Sequence, residues 1–411
     1  MARERQPLGP LRVAAVTGLL LGMLGAALCA PQAHAQADRA ERDRSREAWL
    51  NLRVYPLDVW GPEAGWGFGG GVVLHNAFRP GDQWLLTAAP ALHETVGTLS
   101  YATGDPQRDA AYLLADVRAR TTGRQPFYGT GPFTRDANRV DVDMADLWLR
   151  LRPSRWLRDR TVLVQPAASV RRHVVRSTSG SDGAPRLNSD GAQWGMQVGL
   201  RAAYDTRDRS RGATRGVFLR ASYDYYAEVS SGDVQVDRVS ADAYGFVPLG
   251  GSHRLVLRLQ SDVATRRGDA PVPFYLLPRL GGRQVPGWDR DRFFGSDRLV
   301  ASALYRFPLV TLQDVFVIGG HMGAHAASVY DDIGRQFAFD LDAGETVDPQ
   351  DSRVPLRPAL STGVRLGPLF RDETYFDLAL GVSPEGITGV RLQVVRTLDS
   401  VRPPHHNGAT W

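Results

Sequence analysis

The chain has 411 residues, a formal net charge of +5, 43% hydrophobic residues and one cysteine. All 49 basic residues are arginines, scattered among apolar neighbours and not clustered, which excludes a phosphate-tracking nucleic-acid surface. Past the first 35 residues no stretch has the roughly 20 continuous apolar residues of a membrane helix, and the mean hydropathy of −0.26 suits a soluble protein and a β-barrel equally.

Residues 1–35 read as a secretory signal. Arg3, Arg5 and Arg12 form a basic start, Val13 to Ala30 is uncharged and apolar, and Ala33-His34-Ala35 is a cleavage site of the Ala-x-Ala kind. Cys29 leaves with it, so disulfides are not expected, and removing three arginines and Glu4 leaves a mature charge of about +3. Residues 36–49 are charged and too short for a domain. They suit a plug, a short helix or a disordered segment.

From residue 50 to 398 the dominant period is two. Met196, Val198, Leu200, Ala202 and Tyr204 alternate with Gln197, Gly199, Arg201 and Ala203. Likewise Leu219, Ala221 and Tyr223 alternate with Arg220, Ser222 and Asp224, and Leu255, Leu257 and Leu259 with Val256, Arg258 and Gln260. Such alternation means half-buried strands. A soluble sandwich alternates too, but strands of about 9–11 residues or more have the length of a tilted membrane strand. Sixteen strands are predicted, near 50–60, 66–76, 83–93, 95–103, 110–120, 140–152, 160–175, 192–205, 216–229, 233–247, 253–265, 297–307, 313–330, 354–367, 374–383 and 386–398. The long connections 121–139, 176–191, 266–296 and 331–353 all fall on one end and the short ones on the other, as in an even-stranded outer-membrane barrel. The fold class is therefore all-β, an antiparallel transmembrane β-barrel of about 16 strands, with 399–411 as a loose tail.

Four features carry a resemblance. Phe127-Tyr-Gly-Thr-Gly-Pro132 leads into a strand. Asp205-Thr206-Arg207-Asp208 is followed by Thr214-Arg-Gly216. Leu280-Gly281-Gly282 opens a segment running through Pro286-Gly287-Trp288 to Arg292-Phe293. Five strands follow that segment. Together they resemble the bacterial surface antigen barrels, the BamA/TamA-type outer-membrane assembly factors and two-partner secretion transporters.

The resemblance implies that the segment around Gly281–Phe293 folds into the lumen, and that Asp205, Thr206, Arg207, Asp208 and Gly216 form a structural turn. It also implies residence in the cell outer membrane and a part in protein insertion, translocation or export, with outer-membrane lipid and a periplasmic repeat protein or secreted passenger as partners. A passive channel or structural barrel that kept the fold is the alternative. The family's arginine in this loop is replaced by Pro286, and its acidic wall partner by Ile318 in Phe316-Val-Ile-Gly-Gly320. Losing both halves of a buried pair avoids a stranded charge. Arg292 and packing of Trp288 are expected to hold the loop instead.

No enzyme and no cofactor is expected. His321 and His325 share a strand face but lack acidic partners in sequence, and Gly67-Phe-Gly-Gly-Gly71 sits in a strand, where glycines allow close approach and not phosphate binding.

Overall fold

A computed structural model describes residues 51–394 apart from 62–64, 79–80, 107–108, 181–190, 209–212, 283, 313–315, 342–352 and 369–375. The expectations for 1–35, 36–49 and 399–411 lie outside the described residues. The strands before the longest connection are β1 (Asn51–Gly61), β2 (Gly65–His75), β3 (Gln83–Pro90), β4 (Glu94–Ala102), β5 (Ala111–Phe127), β6 (Val140–Leu157), β7 (Val162–Gly180), β8 (Gly191–Asp205), β9 (Gly216–Glu228), β10 (Gln235–Gly250) and β11 (His253–Arg266). Within that connection lie β12 (Arg279–Leu280) and β13 (Phe293–Phe294). After it come β14 (Asp297–Leu312), β15 (Phe316–Tyr330), a single turn α1 (Ile333–Gln336), β16 (Phe337–Leu341), β17 (Val354–Pro368), β18 (Phe376–Ser383) and β19 (Gly386–Val394).

Sixteen of these are barrel staves. Consecutive pairs from β1 to β11 are antiparallel, and β11–β14, β14–β15, β15–β17, β17–β18 and β18–β19 continue the ring. Among the described residues β19 returns to β1 through one register pair, Val59↔Gln393. The all-β antiparallel barrel of sixteen strands is thus what the chain forms.

Three short strands escaped the sequence reading, because two to five residues hold too little period to detect. β12 and β13 pair with each other, and β16 lies parallel to the start of β17. β5, β6 and β7 also run longer than expected, 17, 18 and 19 residues. The added residues of β6, 153–157, lie at its other end, paired with β5 and β7, whereas the far ends of β5 and β7 gain apolar partners: Phe127 and Val175 pack with Phe274, Leu276 and Phe294 of the long connection. Packing there sustains the ladder beyond the membrane-length pattern. The glycines of β2 meet β3 closely; a Cβ on Gly67 or Gly69 would fall 2.4 or 2.1 Å from backbone oxygens of Pro90 or Ala88.

The two faces are inverted relative to a soluble protein. Leu147, Leu149 and Leu151 of β6 and Met196, Val198 and Leu200 of β8 are exposed on the outside. Inside are buried Arg150, Arg152, Gln165, Arg220, Asp242, Arg258 and Gln260. A continuous outer apolar belt of this kind calls for lipid, since soluble monomers rarely leave such a patch open. The interior charges are paired: Arg220 Nε donates to Asp242 at 2.7 Å, Asp262 accepts from Arg238 at 2.8 Å and from Arg298, and Asp116 accepts from Arg152 at 2.7 Å and Arg150 at 3.2 Å. Among the described residues no helix is long and apolar enough to cross a membrane.

Candidate functional site

The connection between β11 and β14 does not extend into solvent. Phe274, Tyr275, Leu276, Leu277, Leu280, Val285, Trp288, Phe293 and Phe294 are all buried. The residues it touches belong to staves all around the ring. Tyr275 stacks on His173 of β7 at 4.3 Å and its hydroxyl meets Gln193 of β8. Gln284 O accepts from Arg258 of β11 at 2.8 Å. Arg290 donates to Glu94 of β4 at 2.5 Å, and Gln125 of β5 donates to Asp291 at 2.6 Å. A segment that reaches β4, β5, β7, β8 and β11 crosses the lumen, and we refer to it as the lumen loop.

Its path follows from its residues. Gly281, Gly282 and Gly287 have φ of 119°, 67° and 110°. At Gly281 a Cβ would also lie 2.0 Å from Asp289 O, so only glycine fits. Gly282 N donates to Trp288 O at 2.9 Å, closing a compact turn around Val285 and Pro286. Trp288 packs with Leu280, Val285 and Phe293 against Val300, Ala327, Val329 and Ala359 of β14, β15 and β17. Burying an aromatic of this size contributes about 1.5–3 kcal/mol.

Arg292 is the polar anchor. It is 2% exposed, and its Nε and Nη2 donate to Glu385 at 2.8 and 2.7 Å in a fork-on-fork pair. Its remaining donors reach Thr134 Oγ1 and Thr134 O, each at 3.2 Å, and its guanidinium lies 4.6 Å over the rings of Tyr128 and Phe293. Gly131 N donates to Phe294 O at 2.7 Å. The Phe127–Pro132 and Leu280–Phe293 segments, far apart in sequence, therefore meet. Burial raises the Tyr128 phenol well above its ordinary range. Burial also tends to raise the Asp291 carboxyl, but the charges of Arg279 and Arg290 and the Gln125 hydrogen bond outweigh it and hold Asp291 below the usual carboxylate range.

The Asp205–Asp208 turn stands apart, in the β8–β9 connection at the opposite end. Asp205 accepts from Arg207 Nε at 2.8 Å and Nη2 at 2.6 Å, and Arg207 covers the Phe218 ring at 4.5 Å. Val217 N donates to Thr206 Oγ1 at 3.1 Å, and Asp208 accepts from Thr214 N at 2.9 Å. Gly216 has φ 108°, and a Cβ there would lie 2.4 Å from Thr206 O. The turn is a self-contained cap on two strand ends.

One sequence-based placement needs correction. Ile318 shares the outward face of β15 with exposed Met322, while His321 and His325 point inward, and the β15–β17 register is unbroken from Phe316 to Ala327. Ile318 cannot stand for an inward acidic partner, so a pair between positions 286 and 318 cannot be rebuilt. The loop tip lies instead on β18: a Cβ on Gly381 would sit 2.1 Å from Gly287 N. Glu385, Glu94 and Thr134 were missed, since nothing local marks a turn glutamate as the partner of an arginine 93 positions away. His325 hydrogen-bonds with Ser302 and Ser361, both at 2.9 Å, and among the described residues no three His, Cys, Asp or Glu are placed to hold a metal.

A sixteen-stranded barrel with an apolar outer belt, a charged interior and a loop folded into its lumen is an outer-membrane barrel of the plugged kind. Comparison with known families places it further. The model of the Omp85 superfamily domain matches residues 153–367, and the chain belongs to that superfamily. Its fold is similar to BamA from Haemophilus ducreyi lacking POTRA domains 1–3, at 13% identity and TM-score 0.53, covering 87% of this chain and 75% of that one. It is also similar to CdiB from Escherichia coli, at 11% identity and TM-score 0.54, covering 85% of this chain and 61% of that one. At these identities the likeness is one of fold. No curated protein matches the sequence.

Proposed function

We propose that this protein works in the cell outer membrane as an Omp85-type transport barrel, and that polypeptide is inserted or exported through the seam between β1 and β19. The observation that carries this reading is the seam itself. Among the described residues β1 and β19 share the one pair Val59↔Gln393, whereas every other neighbouring pair of staves shares six or more. Backbone groups in hydrocarbon need internal partners, so a wall gains stability from long ladders, and a short one marks the place that opens at least cost. The lumen loop adds support: it fills the pore that a passive channel would leave open, and its anchor Glu385 lies in the turn between β18 and β19, beside the seam. The partners of this reading are outer-membrane lipid around the apolar belt and a polypeptide in transit, a secreted passenger or a chain delivered by a periplasmic repeat protein.

The test is a Val59→Cys/Gln393→Cys staple in the signal-free protein, reconstituted into liposomes and supplied with a urea-unfolded β-barrel substrate. The reduced protein should speed folding of the substrate into the bilayer, and oxidation should abolish the gain reversibly. An oxidised protein as active as the reduced one overturns the seam reading. If both forms leave the bare-liposome rate unchanged, the structural-barrel alternative stands in its place.

A further inference from the structure

We propose that the lumen contains a binding site for a phosphate-type oxyanion, in a cavity between the inner faces of β5, β6 and β7 and the β12 segment of the lumen loop. The cavity is about 60 Å³ and is lined by Arg118, Arg120, Asp146, Arg171, His173 and Arg279. A single water needs about 10–15 Å³ of such space, so the cavity is roomy enough for a small polyatomic anion.

The charge of the lining sets the sign of the ligand. Four guanidiniums face one carboxylate, Asp146, which His173 Nδ1 contacts at 2.5 Å. The other nearby charges are Glu94, bonded by Arg120 at 2.8 Å and also by Arg290, Asp291, 3.4 Å from Arg279, and Asp224, whose charge acts on Arg171. Five guanidiniums, those of Arg118, Arg120, Arg171, Arg279 and Arg290, thus stand against the four carboxylates of Asp146, Glu94, Asp291 and Asp224, and fixed charge in a low-dielectric cleft concentrates ions of opposite sign.

The shape of the lining selects the class of anion. Arg171 is 3% exposed, and it and Arg150 lie 4.6 and 4.1 Å from the ring centroid of Trp148, which fixes their guanidinium planes. A fixed guanidinium fork matches two oxygens of a phosphate and gains nothing comparable from a spherical halide. Tyr275, stacked on His173, comes from the same loop as Arg279, so a bound anion would tie the lumen loop to the β5–β7 wall. The site stands whether or not the seam opens.

The experiment uses the purified full-length barrel in detergent, titrated with inorganic phosphate against sodium chloride at matched ionic strength, with Tm as readout. A ligand that binds only the folded state raises Tm by mass action. Phosphate should raise Tm where chloride does not. R118Q and R171Q should weaken the apparent affinity by at least about tenfold, and R155Q, at an exposed arginine outside the cavity, should leave it unchanged. Arg118 is only half-buried, so R118Q decides the matter if R171Q fails to fold. Dihexanoyl phosphatidic acid distinguishes the source: tighter binding than inorganic phosphate assigns the site to a lipid headgroup, and equal or weaker binding to a free anion. No phosphate-specific shift in the unaltered protein, or an R118Q affinity equal to it, overturns the site.

Discussion

The wall formed by β5, β6 and β7 and the seam formed by β18, β19 and β1 are built from the same kind of strand and differ in how the lumen loop is held against them. β6 and β7 are 18 and 19 residues long and stay paired from Val140↔Gly180 to Leu157↔Val162. Among the described residues β18 and β19 span 8 and 9 positions, and β19 meets β1 at one of them. The wall also has apolar support from the lumen loop at its long end. The seam side has the loop too, but through one ion pair and one backbone contact. The character of the loop contact thus differs between the two sides: apolar packing holds the wall, and an ion pair with one backbone contact holds the loop on the seam side.

The largest expected effect comes from stapling each side in turn. A disulfide across Leu149 and Val170, paired in the wall, should leave transport untouched, whereas one across Val59 and Gln393 should stop it. Equal effects of the two staples would erase the distinction between wall and seam. Next come changes on β9, which lies outside both regions and serves as their common reference. Arg220→Leu strips Asp242 of its forked cation and should cost about 3–5 kcal/mol. Leu219→Arg, on the outward face of the same strand, should cost about 2–4 kcal/mol near mid-bilayer. Urea unfolding in liposomes reads both. The inward change is not the mild one, because Arg220 is buried and paired with Asp242 inside the barrel.

On the seam side, Arg292→Ala and Glu385→Ala should each raise single-channel conductance in planar bilayers by loosening the loop, and the double variant should add little. A coupling of about 0.5–3 kcal/mol is expected for groups in direct contact. Strict additivity would mean that the pair does not hold the loop. The smallest effect is that of pH. Asp291 has its carboxyl held below the ordinary value. Its contribution is therefore full above the unfolded value of roughly 3.9 and fades as pH falls through the lower folded value. Conductance should be steady from neutral pH down to about 4 and rise below it; a rise between pH 5 and 7 would assign loop retention to another group.

The division between what was readable and what was not follows the range of the interactions. All sixteen staves could be read because lipid and lumen impose a period of two on each strand separately, as with Leu147, Leu149 and Leu151 against Arg150 and Arg152. The burial of Trp288 was readable as well, since an apolar turn rich in glycine has no stable place in water. The Arg292–Glu385 pair and the outward facing of Ile318 were not, because both depend on how distant strands close into a ring. Parity within β15 places His321 inward and leaves Ile318 outward, and no local signal gives the starting phase.

The meeting of Gly287 with Gly381 has a kinematic consequence. The next positions of β18 on the lumen side are Ala379 and Ser383, both with side chains, while Leu378 and Val382 point outward. Backbone already touches backbone at Gly381, and a Cβ on Gly287 would lie 2.6 Å from Val382 O. The loop therefore has no sliding track along the strand in either direction. One step up or down the stave would run it into a methyl or a hydroxymethyl group. Its only free direction is perpendicular to the wall, so it must disengage the way a pin leaves a socket: all at once, and not by degrees.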